Sequence, residues 1–418
     1  MNGPDLDVLV VGGGVVGVAT ALTFAHSGCR TGIVDVRARQ AMPASGDPYD
    51  ARVLALTHAS VNLFERLGAW PAMPAGRSGC YEAMEVWDDR SPARVRLEAG
   101  ASGMPCLGHI VEVAVLQAAL ESRLAGQVRE WRPARLRGLT VLPECVRVDL
   151  DGERVEAALL VGADGAASRV RELAGIGWDE RDYGEHALVT VVESDWPHGD
   201  VARQVFLATG PLALLPLGYP RHAALVWTLP EALAAERLEL DDASFIATLT
   251  RASKGVLGGL QPLTPRATHP LRRGHASEYV ATRVALVGDA AHTIHPLAGQ
   301  GANLGFMDAA SLCEVVADAR RAGRDPGSRS VLRRYARWRR GENEGMQLAM
   351  DGFRWLFNDS GSEGGELWRR GLRTLGMRAF DHAGPLKRAL IERATGLSGD
   401  LPLLARSAAA QRSDIGAW

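Results

Sequence analysis

The chain has 418 residues, of which 46% are hydrophobic, and this is enough for two or three domains with apolar cores. Its 47 basic and 49 acidic residues give a formal net charge of −2, which argues against nucleic acid as a partner. The five cysteines include no C-x-x-C pair, so the sequence predicts neither a disulfide framework nor a metal site.

The first predicted elements form a βαβ unit. Residues 7–11, which are apolar after Asp7, predict a buried strand, residues 16–27 predict a helix, and residues 30–36 predict a second strand. Such a unit implies a parallel sheet with a right-handed crossover.

Glycines and an acid lie in this unit where a dinucleotide needs them. Gly12, Gly14 and Gly17 form a G-x-G-x-x-G pattern between the first strand and the helix. They allow a tight turn, close approach of a pyrophosphate and close packing of helix on strand. Asp35 ends the second strand, where a carboxylate can bind ribose hydroxyls and disfavours a 2′-phosphate. The sequence therefore predicts a site for FAD or NAD.

Two later predicted strands also end in Gly and Asp. Residues 158–161 lead to Asp164, and residues 284–287 lead to Asp289. We predict an α/β fold in which a Rossmann-like dinucleotide-binding domain is assembled from separated segments. A mostly antiparallel β-sheet substrate domain is inserted into it, and a helical C-terminal region follows. The predicted cofactor-binding segments are 1–75, 109–184 and 276–345, the substrate-domain segments are 76–108 and 185–275, and the helical region is 346–418.

The segment from Gly288 to Gly305 favours FAD over NAD. Asp289 can accept hydrogen bonds from ribityl hydroxyls. Backbone amides around Ala298–Gly301 open a predicted helix and can stabilise negative charge on the N1–C2 carbonyl edge of a flavin. The second contact is specific to a flavin.

Several motifs in this order resemble one enzyme family. Residues 288–308 contain a Gly-Asp motif and residues 163–171 an Asp-Gly motif, as in the single-component flavoprotein aromatic hydroxylases related to para-hydroxybenzoate hydroxylase. The chain resembles the ubiquinone-biosynthesis hydroxylases more narrowly in residues 52–56, 107–112, 210–217 and 289–305. The resemblance extends from the first strand to about residue 345.

The resemblance implies a role for each matching residue. Arg52 would lie near the flavin at the substrate entrance, Asp164 would hold the Asp-Gly loop, and residues 296–301 would line the isoalloxazine ring. The implied catalytic residues are Arg52, His295 and Pro296. The implied cofactor-binding residues are Gly12, Gly14, Gly17, Asp35, Arg52, Asp164, Asp289, Leu297, Ala298, Gly299, Gln300, Gly301 and Asn303.

Two positions depart from the family pattern. Asparagine is common where Val113 stands, and glutamine is common where Glu185 stands. The first departure bears on FAD affinity and the second on substrate preference.

The implied reaction inserts one atom of O₂ into an aromatic ring through a flavin 4a-hydroperoxide. The implied substrate is a hydrophobic, polyprenylated phenol or benzoquinol of ubiquinone biosynthesis. NADPH or NADH is the expected electron donor; a protein donor is the alternative, because no second glycine-rich nucleotide motif is present. The alternative functions are a hydroxylase of another aromatic substrate, a lipid-directed flavoprotein reductase or oxidase, and a non-catalytic subunit of a quinone-synthesis assembly.

The sequence also predicts a location and a class of partners. The sequence shows no secretory signal and no apolar stretch of about 20 residues, so we expect a cytoplasmic protein. A prenylated substrate would add peripheral contact with the inner membrane face and with other quinone-synthesis proteins. The oligomeric state, the ring carbon and the prenyl length stay open.

Three further groups have open interpretations. His292 and His295 lack a third ligand at metal-binding spacing, so we expect helix-start or flavin-facing roles. The arginine-rich run at residues 333–340 predicts a solvated helix face, with anionic lipid headgroups as the alternative ligand. Residues 355–357 predict core packing or a substrate entrance.

Overall fold

The computed structural model describes residues 4–44, 46–90, 94–294, 299–357, 391–392 and 395–407. The helices are α1 (Val15–His26), α2 (His58–Arg66), α3 (Val113–Glu121), α4 (Arg169–Leu173), α5 (Glu231–Glu239), α6 (Asp242–Ala252), α7 (Gly301–Arg321) and α8 (Arg329–Phe357). The strands are β1 (Leu6–Val11), β2 (Thr31–Val34), β3 (Val53–Leu56), β4 (Ser78–Tyr81), β5 (Ala83–Asp88), β6 (Arg94–Glu98), β7 (Gly108–Glu112), β8 (Val128–Trp131), β9 (Gly138–Val141), β10 (Val146–Asp149), β11 (Arg154–Gly162), β12 (Trp178–Ser194), β13 (Val201–Leu207), β14 (Gly210–Pro216), β15 (His222–Pro230), β16 (Leu260–Pro262), β17 (Ala267–Ala276), β18 (Val280–Ala281), β19 (Val284–Leu286) and β20 (His292–Thr293).

A largely parallel sheet contains all four strands that the sequence predicted for the cofactor domain. Its order is β18-β19-β11-β1-β2-β8, with β9 and β10 extending it from β11. β1 lies at the centre because it is apolar on both faces, and Leu9 and Val10 are fully buried. The strands that carry the glycine motif, Asp35, Asp164 and Asp289 therefore end at the same edge, where α/β sheets bind ligands.

A second, mostly antiparallel sheet confirms the predicted inserted sheet. Its order is β20-β17-β12-β15-β14-β13-β5-β6, with β16 paired to β12. The long strand β12 pairs with β15 along one edge and with β17 along the other. Its apolar side chains Leu188 and Val191 are buried. The segment boundaries proposed from the sequence remain predictions.

A small third sheet, in the order β3-β7-β4, lies between the parallel sheet and the antiparallel sheet. All its pairings are antiparallel, with Val53 opposite Glu112 and Cys80 opposite His109. It contains the strand that follows Arg52.

The long helices α7 and α8 pack on each other and cover the parallel sheet. The prediction that residues 333–340 form a solvated face is wrong in part. Arg333 and Arg337 are exposed, but Tyr335 is fully buried and Arg339 is only 1% exposed. Residues four apart share a helix face, so this pair faces the core while its neighbours face solvent. Within the described ranges, no helix combines the length and apolar character that crossing a bilayer requires.

Candidate functional site

The glycine motif leaves open space at the start of α1. A side chain at Gly12, whose φ is +110°, would overlap the carbonyl oxygen of Ala163, and one at Gly17 would overlap the carbonyl oxygen of Gly12. A Cβ at Gly14 would meet no atom within 4 Å. Two glycines thus permit close packing, and the third borders a space that a pyrophosphate can occupy at a helix N-terminus.

Asp35 is fixed beside this space at the end of β2. Its carboxylate accepts hydrogen bonds from the backbone N–H of Gly13 and, at 2.6 Å, from that of Arg37. Only 8% of the residue is exposed. Because each carboxylate oxygen has two lone pairs, the group can still accept from ribose hydroxyls.

A buried polar cluster, which the sequence did not predict, holds the glycine turn through hydrogen bonds to its backbone. The carbonyl oxygen of Gly13 accepts from Gln117 Nε2 at 2.7 Å and from Arg132 Nη2 at 2.9 Å. Glu121 in turn pairs with Arg132 at 2.8 Å. One signal was available, since Gln117 and Glu121 are polar residues four apart on the otherwise apolar helix α3.

Asp164 holds the loop that follows β11. Its carboxylate accepts from Ser168 Oγ at 2.5 Å and from the backbone N–H groups of Arg169 and Val170 at 2.7 and 3.0 Å. Burial raises the pKa of Asp164, and these hydrogen bonds oppose the shift. The carboxylate thereby caps the first N–H groups of α4.

Arg171 links this loop to the Gly-Asp turn and was also missed. It is 7% exposed and donates to the carbonyl oxygens of Ala166 at 2.6 Å and Ala290 at 3.0 Å. Its guanidinium lies 3.8 Å from the ring centroid of Trp178. The two motifs are therefore held at a fixed separation.

Asp289 projects from a short 3-10 turn, Gly288–Ala290, whose other two residues are buried. Asp289 itself is exposed, yet the protein surrounds it closely enough that desolvation raises its pKa, against the opposing effect of His292. The carboxylate is thus reachable from solvent although protein atoms surround it. It is positioned to accept hydrogen bonds from a ligand.

Helix α7 brings this turn next to α1. A Cβ at Gly305 would lie 2.8 Å from Val16 Cγ2 and 3.1 Å from the Cα of Gly288. Such spacing leaves no room for a side chain. The start of α1 and the Gly-Asp turn consequently form one continuous region.

A buried charge network lies directly behind Asp289. Asp308 of α7 accepts from the Gly288 N–H at 3.1 Å, His292 Nε2 at 2.6 Å and Arg339 Nε at 2.9 Å. Burial acts to raise the pKa of Asp308, but His292 and Arg339 together hold it well below its usual range. The helix-start or flavin-facing role expected for His292 is wrong, because its ring is buried on β20 and stacks on Tyr279.

The start of α7 is the next predicted part of the site. The helix begins at Gly301, and Gln300 precedes it as the capping residue. Gly299 approaches β3 closely, since a Cβ there would lie 3.0 Å from that of Ala55. Four predicted site residues lie outside the described residues: His295, Pro296, Leu297 and Ala298.

Asn303 joins α7 to β3 and α2. Its amide nitrogen donates to the carbonyl oxygens of Ala55 at 2.7 Å and Gly299 at 3.2 Å. Its oxygen accepts from the Thr57 N–H at 3.1 Å and from Ser60 Oγ at 2.7 Å. The side chain is committed to protein partners, so any contribution to a cofactor is through positioning.

Arg52 lies on the exposed side of the loop before β3. Its guanidinium pairs with Asp50 at 3.1 Å, and the Asp50 N–H donates to Glu112 at 2.8 Å. Glu112 forms a fully buried ion pair with Arg77 at 2.9 Å. This pair anchors the loop that carries Arg52. Burial, followed by the charge of Arg52, lowers the pKa of His269 on β17.

Apolar residues continue from β3 to that sheet. Val53 and Ala55 pack with Val191, Leu217 and Ala224 in one cluster. Apolar side chains of β3 thus lie next to both Gly299 and the antiparallel sheet.

The two positions that depart from the family pattern have defined surroundings. The Val113 N–H donates to the carbonyl oxygen of Arg52 at 2.9 Å. Glu185 pairs with Arg354 of α8, whose nitrogens lie 2.9 and 3.2 Å from its carboxylate. Arg354 also lies over the ring of Tyr183, 4.7 Å from its centroid.

Comparison with known proteins identifies the family. Residues 5–346 match the model of a family described as an FAD binding domain. The chain belongs to this family of FAD-dependent aromatic hydroxylases. It is 37% identical to the 3-demethoxyubiquinol 3-hydroxylase of Escherichia coli K12 over 95% of this chain and 100% of that protein. It is 38% identical to the ubiquinone hydroxylase UbiL of Rhodospirillum rubrum over 93% of this chain and 89% of that one.

Solved structures share the fold. The p-nitrophenol 4-monooxygenase PnpA of Pseudomonas putida DLL-E4 aligns with a TM-score of 0.74 over 94% of this chain and 98% of its own, at 18% identity. At that identity the likeness concerns the fold alone. FAD fits the residues present, since the open space at Gly14 and the exposed Asp289 border one continuous region.

Proposed function

We propose that this protein hydroxylates the aromatic ring of a polyprenylated phenol or benzoquinol in ubiquinone biosynthesis. The observation that carries the proposal is the similarity over 95% of the chain to a 3-demethoxyubiquinol 3-hydroxylase, together with a site whose two halves meet at one sheet edge. Bound FAD would supply the activation of O₂ and the transfer of one oxygen atom to the ring.

The protein's part is to bind and orient. The N–H groups at the start of α1 would bind the pyrophosphate, and Asp35 the ribose hydroxyls. Asp289 would accept from the ribityl chain. The amides at the start of α7 would stabilise negative charge at the N1–C2 edge of the flavin, as helix N-termini do.

The substrate would approach from the side of β3. Arg52 borders that side, and the apolar cluster of Val53, Ala55 and Val191 favours a hydrophobic molecule there. His295 and Pro296 are proposed to complete the ring side. An apolar enclosure would also exclude water from the reaction.

NADPH or NADH is proposed as the electron donor. The loop held by Asp164 is its proposed docking point because it lies at the same sheet edge as Asp35. A prenylated substrate would further require contact with a membrane surface or with other quinone-synthesis proteins.

Isotope labelling tests the proposal. The FAD-loaded enzyme is supplied with NADPH or NADH, a short-chain prenylated phenol and ¹⁸O₂, and the product is analysed by mass spectrometry. We expect one ¹⁸O atom in the ring product. A product without ¹⁸O would exclude hydroxylation and favour a reductase or oxidase, whereas labelling only of non-prenylated phenols would refute the substrate class.

A further inference from the structure

A cluster of sulfur and imidazole groups lies in the small sheet, among residues that have no assigned role in FAD binding. Cys80 on β4 and His109 on β7 are directly opposite each other in the antiparallel register. Directly opposed residues point to the same face of a sheet, with Cβ atoms about 4.5–5.5 Å apart. Cys106 lies three residues before His109, in the spacing C-x-x-H.

The ligand atoms of these three residues are close enough to share a metal ion. The two Sγ atoms and a His109 nitrogen all lie within 4.8 Å of one another. Cys106 Sγ and His109 Nε2 are 3.6 Å apart. In a tetrahedral zinc site, bonds of about 2.3 Å to sulfur and 2.0–2.1 Å to nitrogen place those two atoms about 3.6 Å apart. The observed separation matches that edge of a tetrahedron.

The surroundings favour a structural site. Cys106 is 3% exposed, and Cys80 and His109 are half-buried. The ring of Trp70 packs edge-on against His109, with centroids 4.9 Å apart. His58 Nε2 donates to the carbonyl oxygen of Cys106 at 2.8 Å and so holds the backbone beside the cluster. Thiolate and imidazole are the ligands that Zn²⁺ prefers, whereas Mg²⁺ and Ca²⁺ prefer oxygen.

We propose that Cys80, Cys106 and His109 bind a divalent cation of the Zn²⁺ class, with a water molecule as the fourth ligand. The cation would join β4 to β7 and to the segment before β7. Because β3 pairs with β7 and packs against Gly299, the site would stabilise the sheet that borders the proposed substrate entrance. The sequence predicted no metal because Cys80 is distant in the chain from Cys106 and His109, and only the sheet register brings it next to them.

Cobalt binding tests this proposal on the full-length, FAD-loaded protein. After dialysis against a chelator, the protein is titrated with Co²⁺ and its absorbance is followed at wavelengths longer than the flavin bands. We expect one equivalent of Co²⁺ to bind with tetrahedral, thiolate-type bands and to be displaced by Zn²⁺. We expect Cys80→Ser and His109→Ala to weaken binding by about tenfold or more.

Cys145→Ser is the matched control, because Cys145 is also buried but lies in the parallel sheet, beside β10. It should bind Co²⁺ as the wild type does. If Cys106→Ser does not fold, the half-buried Cys80 still provides the test. Absence of stoichiometric binding by the wild type, or equal binding by wild type and Cys80→Ser, would overturn the proposal. FAD content, measured on the same samples, separates this result from the proposed hydroxylase function.

Discussion

The proposed nucleotide half of the cofactor site lies within one βαβ unit, residues 12–35, whereas the proposed flavin-ring half draws on segments between Arg52 and Arg339. In the first half, the glycine turn and Asp35 contact each other directly. In the second, the Gly-Asp turn depends on Asp308, which in turn depends on His292 and Arg339. Substitutions in the network behind the flavin-ring half should therefore lower the stability of the fold more than substitutions in the nucleotide half.

The largest expected effect follows from Asp308→Asn. This change removes the buried carboxylate that pairs with Arg339 and His292 and leaves Arg339 only the half-exposed Glu342, and breaking a buried ion pair costs about 3–5 kcal/mol. Urea unfolding measures the loss of stability. Asp318→Asn on the same helix is the control, because its pair with Arg321 is exposed and contributes at most about 1 kcal/mol. Equal losses for the two variants would contradict the network's role.

The same network predicts a pH dependence. The pKa of Asp308 in the folded protein is lower than in the unfolded chain, so its contribution is complete above the unfolded value of about 4. As the pH falls below that value, the unfolded chain takes up the proton first and the contribution is lost. The stability difference between wild type and Asp308→Asn should shrink below about pH 4. A difference that grew on acidification would refute this assignment.

A smaller effect is expected in the nucleotide half. Asp35→Ala removes a charged acceptor for ribose hydroxyls. Hydrogen bonds to a charged group contribute about 1.5–3 kcal/mol, so we expect FAD affinity to fall roughly 10–100-fold. Titration of the apoprotein with FAD measures the change. Asp7→Ala is the control, since Asp7 pairs with Arg30 near the opposite end of the same two strands. Similar FAD affinities for the two variants would show that Asp35 does not bind the nucleotide.

Much of the nucleotide half could be predicted from the sequence, because G-x-G-x-x-G and Asp35 are local features with a fixed geometry. The strands that end near Asp164 and Asp289 were predicted for the same reason. The buried partners were not, because Arg132 reaches Gly13 and Arg339 reaches Asp308 only through the tertiary fold. Arg339 was assigned to a solvated face, since an arginine-rich run gives no local sign that one member is buried.

The smallest effect is expected at the junction of the antiparallel sheet with α8. Glu185→Gln introduces the glutamine that is common in the family and weakens the partly buried pair with Arg354, at a cost of about 1–2 kcal/mol or less. We expect a change in KM for the aromatic substrate and an unchanged FAD content. Glu180→Gln on the same strand, in an exposed pair with Arg272, should leave KM unchanged. A loss of FAD in Glu185→Gln would contradict this separation.

The flavin content of Asp289→Ala tests the central claim most directly. Asp289 is exposed and lies outside the buried network of Asp308, so its removal should leave the fold intact. The ratio of flavin absorbance to protein, with circular dichroism as the check on folding, gives the answer in one preparation. We predict a folded protein that has lost its FAD. A folded Asp289→Ala protein with full FAD content would contradict the assignment of this turn to the flavin half of the site.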